Sequence, residues 1–350
     1  LASKIAPKVA LIGAGWAARN AHLPGFRAAG VQVNAICDIN PAPAQTLAKQ
    51  YGIPNVYRDY KEMIEREKPD SVHVLLPNVA HREPVLFALG NGANVLCEKP
   101  IATSVAEAQE MFDAAKSAGK TLMAAQSWRF ESPSRAIKRL VDAGELGEIY
   151  FGEATAMRRM GIPMWGLFHY KEHSHGGALL DIGVHMLDLA IWLMGNPTPV
   201  RVSSMVTAKF GKRPDFAKVL RNAWDPEKFD VDDFSISLVH FSNGASLVLR
   251  VSWAAHIPDQ QLFDVRLLGT EAGATITPPM LYRTSDGIPI DGKLQIGGGS
   301  GYEREIAHWL KVLAGEAEPL VKQEETMNVQ RILDAAYRSA EEGREVTVEA

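Results

Sequence analysis

Two stretches of the sequence carry residue types able to do chemistry. In the first, Val95-Leu96-Cys97 runs into Glu98-Lys99-Pro100. The apolar run reads as a buried strand, and the charged pair falls at the carboxyl edge of a sheet, where open α/β sheets bind ligands. Pro100 fixes φ and removes a donor, so the chain turns there with Lys99 held in a defined direction. An ammonium so held can stabilise a developing oxyanion. The same residues also fit an ordinary ion pair in a solvated loop. The second stretch, 177–194, reads as a helix apolar almost all round and therefore buried. Its exceptions are Asp181, His185 and Asp188, whose spacing of four and three stacks them on one face. A carboxylate beside an imidazole fixes its tautomer and tunes its basicity, which is the equipment of a general base. A satisfied core histidine is the bland alternative. With no cysteine beside these groups a zinc site is disfavoured, and no metal is expected.

The elements that must position these residues differ between the two parts of the chain. Residues 8–12 are an apolar strand closed by Gly13-Ala14-Gly15-Trp16-Ala17-Ala18, with a helical pattern after it. Gly13 permits the tight turn, Gly15 lets a pyrophosphate approach the backbone, and Ala18 allows close helix–strand packing. A second strand, 33–37, ends in Asp38, the acid expected to hold a ribose hydroxyl; a cap on the following helix is its simpler reading. Helices over 42–50, 60–67, 79–90 and 104–117 then alternate with strands over 71–76, from 94, and over 121–125. Ser104 and Glu107 stand at capping-box spacing. Such alternation predicts a doubly wound parallel sheet. Its strand ends put Gly13, Asp38, Pro77, Asn78, Glu98, Lys99 and Gln126 along one edge, where a dinucleotide lies.

After about Gln126 strands follow strands: 149–157, 200–210, 233–241, 245–254 and 262–268, with helices over 134–143, 302–315 and 325–342. This predicts an α+β second domain with a large, mostly antiparallel open sheet. The domains are expected over 1–126 and 127–350, with room for the 325–342 helix to pack back on the first. Phe234, Ile236, Leu238, Leu247, Leu249 and Val251 alternate along these strands. One face can pack on helices, and the other would leave an apolar patch suited to a homodimer or tetramer. The polar, aromatic loop 158–175 offers Arg158, Trp165 and His169 as substrate contacts. Gly297-Gly298-Gly299-Ser300-Gly301 reads as a flexible loop.

The composition is that of a water-soluble globular chain: 350 residues, 22% charged and 46% hydrophobic, with a net charge of −4. That balance argues against nucleic-acid or anionic-membrane partners. No apolar run approaches a membrane span, residues 1–8 lack a signal-peptide core, and Cys37 and Cys97 read as buried thiols, so a cytoplasmic setting is expected.

Together these residues resemble the Gfo/Idh/MocA family, the glucose–fructose oxidoreductase and inositol dehydrogenase group. The likeness rests on the glycine turn with Asp38, on Leu76-Pro77-Asn78-Val79-Ala80-His81, on Glu98-Lys99-Pro100, and on Gly176-Gly177-Ala178-Leu179-Leu180-Asp181-Ile182-Gly183-Val184-His185. Gly144-Glu145-Leu146-Gly147-Glu148-Ile149 and Ala335-Ala336-Tyr337-Arg338-Ser339-Ala340 add to it. The resemblance implies a Rossmann domain, bound NAD, and Lys99, Asp181 and His185 as the catalytic set. It implies cofactor contacts from Gly13, Gly15, Trp16, Ala17, Asp38, Leu76, Pro77, Asn78, His81, Glu98, Lys99 and Gln126. His175 and Ser127-Trp128-Arg129-Phe130 depart from the family pattern near the substrate side. The expected activity is oxidation of a secondary hydroxyl of a sugar, glycoside or cyclic polyol by hydride transfer to NAD. Its rivals are glycoside cleavage through transient oxidation and a non-enzymatic NAD-binding regulator.

Overall fold

The computed structural model describes residues 6–349, which pack as two units. The first runs to Phe130 and takes in Gly299–Gln323; the second is Glu131–Gly298 with the chain from Glu324 onward. The division is thus not a single cut near residue 126. The helix Gly301–Leu313 groups with the first unit, and the helix Gln323–Glu342 groups with the second from Glu324 on. The reason lies in side chains: Trp309 is fully buried and donates to Ser71 Oγ at 2.9 Å, whereas the Ser339 hydroxyl accepts from the Ser204 N–H at 2.9 Å.

The first unit is built on β1 (Val9–Ile12), β2 (Ala35–Cys37), β3 (Asn55–Tyr57), β4 (Ser71–Val74), β5 (Asn94–Glu98) and β6 (Leu122–Ala125). They form a parallel sheet in the order β3-β2-β1-β4-β5-β6. Strands β1, β4 and β6 are buried throughout, as expected when helices cover both faces. The strand order reverses between β1 and β4, the switch point where such folds bind ligands. Gly13 follows β1 there with φ +103°, and a Cβ on it would lie 2.4 Å from the Leu75 carbonyl oxygen. β3 was not anticipated; it is short and only half-buried, so it carries little apolar signal.

The second unit holds β7 (Ile149–Arg158), β8 (Pro199–Thr207), β9 (Phe234–Phe241), β10 (Ser246–Ser252), β11 (Gln261–Gly269), β12 (Ala272–Ile276), β13 (Pro279–Ser285), β14 (Ile288–Lys293) and β15 (Val346–Thr347). They make one open sheet, β14-β13-β12-β11-β7-β10-β9-β8-β15, antiparallel except for the β7–β10 pair. The segments β12 to β15 escaped sequence reading; β13 and β14 are largely exposed. Leu247, Leu249 and Val251 lie on the buried face, each contributing roughly 1.5–3 kcal/mol by leaving water. Phe234, Ile236 and Leu238 lie on the opposite, half-open face. The helix Val184–Leu193 packs on β7, β10 and β11, and Gly183 lets it close on Val251.

Contrary to the expectation of no span-length apolar run, the helical stretch Lys171–Leu193 is long and apolar enough to cross a membrane by length and composition. Most of it is buried inside the protein, the mark of a core helix. Both cysteines are free and buried, and burial pushes the Cys37 thiol up to about 12 and raises Cys97 as well.

Candidate active site

The glycine turn and Asp38 meet directly. Asp38 accepts from the Ala14 N–H at 2.8 Å with one oxygen and from the Asn40 N–H at 2.9 Å with the other. Both bonds fix its orientation, and a carboxylate keeps further lone pairs for hydroxyl donors. No atom lies within 4 Å of the position a Gly15 Cβ would take, so backbone is open to a ligand there. Trp16 beside it is 49% exposed and meets the Tyr302 ring edge-on at 6.3 Å. Ala17 is half-buried at the start of the following helix.

That helix opens with a widened turn, Ala18–His22, closed by the Leu23 N–H reaching Ala18, five residues back. The turn delivers His22 to Glu98: Nε2 lies 3.1 Å from Oε1, and His22 Nδ1 lies 2.9 Å from His73 Nδ1 on β4. Glu98, with a side chain 15% exposed, and Lys99 stand together at the end of β5. Burial pushes the Glu98 carboxyl up, but the His22 hydrogen bond and charge, with Lys99 and His81, outweigh it and hold the group below its ordinary range. His81 is fully buried, with ring nitrogens 2.8 Å from the Leu76 carbonyl and 3.0 Å from the Pro100 carbonyl. It ties the Leu76-Pro77-Asn78 loop to the Glu98-Lys99-Pro100 turn. Gln126, 3% exposed, ends β6 with its Oε1 lacking a hydrogen-bond partner among the described residues.

In the second unit a widened turn, Leu179–Gly183, runs into Val184–Leu193, with the Val184 N–H bonded to the Leu179 carbonyl. Asp181 and His185 are its half-exposed residues; Asp188, on the same face, is fully buried. The buried Trp253 indole donates to Asp181 Oδ2 at 2.9 Å. The helix start is tied down by Asp232. Its carboxylate accepts from the N–H groups of Gly177 (2.7 Å) and Leu179 (2.9 Å) and from the Tyr337 hydroxyl (2.7 Å). Its carbonyl accepts from the Ala178 N–H at 2.9 Å. A Cβ on Gly177 would fall 1.8 Å from that carbonyl oxygen, and one on Gly176 2.2 Å from Tyr337 Oη. The glycine pair is thus a steric requirement of this clamp. Sequence reading missed Trp253, Asp232, His22 and His73, and noted Tyr337 only within a resembling tail. The available signal was polar residues standing in apolar runs.

Of the loop candidates, Trp165 is 46% exposed and Arg158 is half-buried, its guanidinium donating to the Gly161 carbonyl at 3.2 Å. His169 is buried, bonded to the Pro163 carbonyl at 2.6 Å and stacked on Trp224, an arrangement that holds the loop's shape. The departing Ser127–Phe130 segment is a tight turn within the first unit: Arg129 is fully buried, and the Phe130 carbonyl accepts from Arg304 Nε at 2.5 Å.

The chain matches the GFO/IDH/MocA model described as an oxidoreductase family with an NAD-binding Rossmann fold over residues 7–126, and the GFO/IDH/MocA C-terminal domain over 134–275. It is 35% identical to a D-glucoside 3-dehydrogenase of Escherichia coli, covering 97% of both chains. It is 26% identical to a D-apiose dehydrogenase of Paraburkholderia graminis, covering 98% of this chain and 90% of the relative. A levoglucosan dehydrogenase solved in complex with NADH shares the fold, with a TM-score of 0.86 at 23% identity and coverage of 98% and 99%.

Proposed function

The chain belongs to the GFO/IDH/MocA family of NAD(P)-dependent oxidoreductases acting on sugar CH–OH groups, and from that premise we propose that it oxidises a secondary hydroxyl of a D-glucoside, within a wider class of glycosides and cyclic polyols. The observation that carries this reading is the Asp181–His185 face: a carboxylate locked by Trp253 and an imidazole four residues on, both half-exposed on a helix otherwise buried. The first unit fits a nicotinamide dinucleotide through Asp38, the open backbone at Gly15 and the unpartnered Gln126 Oε1. When bound, NAD supplies the hydride acceptor. His185 takes the hydroxyl proton as the carbon-bound hydrogen leaves. Asp181, with one oxygen held by Trp253, orients the imidazole and stabilises its charged form. Lys99 stabilises the alkoxide as it develops. Asp38 repels a 2′-phosphate, so kcat/KM should be higher with NAD⁺ than with NADP⁺.

A panel of D-glucosides, inositols and free aldoses with NAD⁺, read by NADH absorbance and product analysis, tests this. The expected result is one keto-glycoside per NADH. Oxidation confined to the anomeric carbon of free aldoses overturns the substrate reading, and glycoside cleavage without NADH supports the transient-oxidation rival. The half-open sheet face bearing Phe234, Ile236 and the 52% exposed Met205 supports a homodimer or tetramer, to be checked by light scattering. The buried free thiols favour a cytoplasmic setting.

A further inference from the structure

We infer that His22, backed by His73, is a positioning residue that fixes the Glu98 carboxylate beside Lys99 through a buried His73–His22–Glu98 relay. The inference rests on reading Lys99 as part of the reacting machinery, and it concerns His22 and His73, which that reading does not use.

The protons of the relay can be placed by elimination. Ionised Glu98 only accepts, so His22 Nε2, 3.1 Å from Oε1, carries a proton. In a neutral ring His22 Nδ1 is then an acceptor. His73 Nδ1, 2.9 Å away, must be the donor, because two bare nitrogens would repel and two N–H groups would clash. His73 Nε2 is left bare, which matches its being a buried atom with no hydrogen-bond partner among the described residues. With both rings neutral, one set of tautomers satisfies these contacts, and its donors all point toward Glu98.

The surroundings hold both rings. His73 is fully buried against Phe26 (centroids 4.9 Å apart) and the edge of Trp309 (6.3 Å), and Trp309 is itself pinned by Ser71. Burial and the neighbouring His22 push His73 well below the ordinary imidazole range, so it serves as a neutral donor. His22 ends the widened turn Ala18–His22; without the extra residue, a side chain there would point about 100° away. The groups that face Glu98 are His22, with His73 behind it, Lys99 next in the chain, His81 from the neighbouring loop, and the Cys97 thiol on the same strand. Of these, His22 makes the side-chain hydrogen bond. Removing it leaves a buried carboxylate without that donor, which favours the protonated acid and withdraws the negative charge from beside Lys99.

The test uses the intact protein labelled with ¹⁵N-histidine, with and without NAD⁺. Near pH 7 His22 should show the Nε2–H tautomer and His73 the Nδ1–H tautomer; the reverse assignment overturns the inference. NAD⁺ affinity is then titrated against pH for wild type, His22→Phe, His22→Gln and the His22→Phe/Glu98→Gln double variant. The acid half-point should move up by about one pH unit or more in His22→Phe. It should return toward wild type in His22→Gln, whose amide can donate, and the shift should vanish in the double variant. An unshifted half-point in folded His22→Phe, or a shift that survives Glu98→Gln, overturns it. If His22→Phe does not fold, the tautomers and His22→Gln still decide. The failure of the functional reading looks different: Lys99→Ala would keep full turnover while the tautomers stand.

Discussion

Glu98 in the first unit and Asp232 in the second are both buried carboxylates beside residues proposed for catalysis, yet they are perturbed in opposite directions. For Glu98, burial works against the charge, but His22, Lys99 and His81 outweigh it and the group lies below its ordinary value. For Asp232, burial also works against the charge, and the donors from Leu179, Gly177 and Tyr337 do not offset it, so the group lies above its ordinary value. At Asp232 backbone and hydroxyl donors alone do not recover the cost of leaving water, whereas at Glu98 the His22 hydrogen bond together with neighbouring positive charge does. The first unit therefore presents a charged end beside Lys99. The second uses its carboxylate as a clamp for the start of the helix that carries Asp181 and His185, the residues proposed for proton transfer.

The sharpest way to break this division of labour is to remove the residues on the chemical side of each carboxylate. His185→Ala should lower kcat by roughly 10²–10⁴, the usual worth of a general base. Lys99→Ala should lose a comparable factor through lost stabilisation of the alkoxide. NAD⁺ affinity should survive His185→Ala, since His185 belongs to the second unit and is assigned to the sugar. Steady-state kinetics on the substrate found by the panel, with a separate NAD⁺ titration, checks both. Near wild-type turnover in His185→Ala would make it an ordinary core histidine.

Asp232 should instead show its role in stability. Asp232→Ala orphans the N–H groups of Gly177 and Leu179, at about 1–3 kcal/mol for each buried donor left unmade. Tyr337→Phe removes one hydroxyl donor and should cost about 1 kcal/mol. Calorimetric melting should rank wild type above Tyr337→Phe above Asp232→Ala. The reverse order would mean the helix start is held by something other than this carboxylate. Trp253→Phe sits between the two roles, because it removes the donor to Asp181 while keeping most of the packing. It should lower kcat about tenfold, equivalent to about 1.4 kcal/mol, and KM much less. Equal loss in kcat and in melting temperature would reduce Trp253 to a packing residue.

The same contrast marks what could be read from the sequence. Lys99, Asp181 and His185 stood out as candidates because charged residues in apolar runs are conspicuous, and the glycine turn with Asp38 is a local pattern in one βαβ unit. The groups that hold them did not. His22 and His73 lie 76 and 25 residues from Glu98 in the chain, and Asp232 and Tyr337 lie 51 and 156 residues from Asp181, so only the folded chain pairs them. His169 was read as a surface residue of an aromatic, polar loop, and its stack on Trp224 and its bond to the Pro163 carbonyl are visible only in the folded chain. The widened turns at Ala18–His22 and Leu179–Gly183 leave no mark on apolar periodicity.

The smallest expected effect tests the contrast most directly, through the sign of a pH dependence. A carboxylate whose folded pKa is depressed contributes stability that is present above its unfolded value and is lost as pH falls through the folded one. Glu98 is such a group, so its contribution should fade below its ordinary 4.5. A carboxylate whose folded pKa is raised binds its proton more tightly when folded. Its contribution is fully present below the unfolded value and is lost as pH rises through the folded one. Asp232 is that case, with a window opening at its ordinary 3.8 and running upward. Melting temperatures of wild type, Glu98→Gln and Asp232→Asn between pH 4 and pH 8 should therefore diverge in opposite senses. The deficit of Glu98→Gln should shrink toward the acid end, and that of Asp232→Asn should grow there. If both deficits moved the same way, the two carboxylates would share one electrostatic environment, and charge in the first unit against neutral donors in the second would not be what separates them.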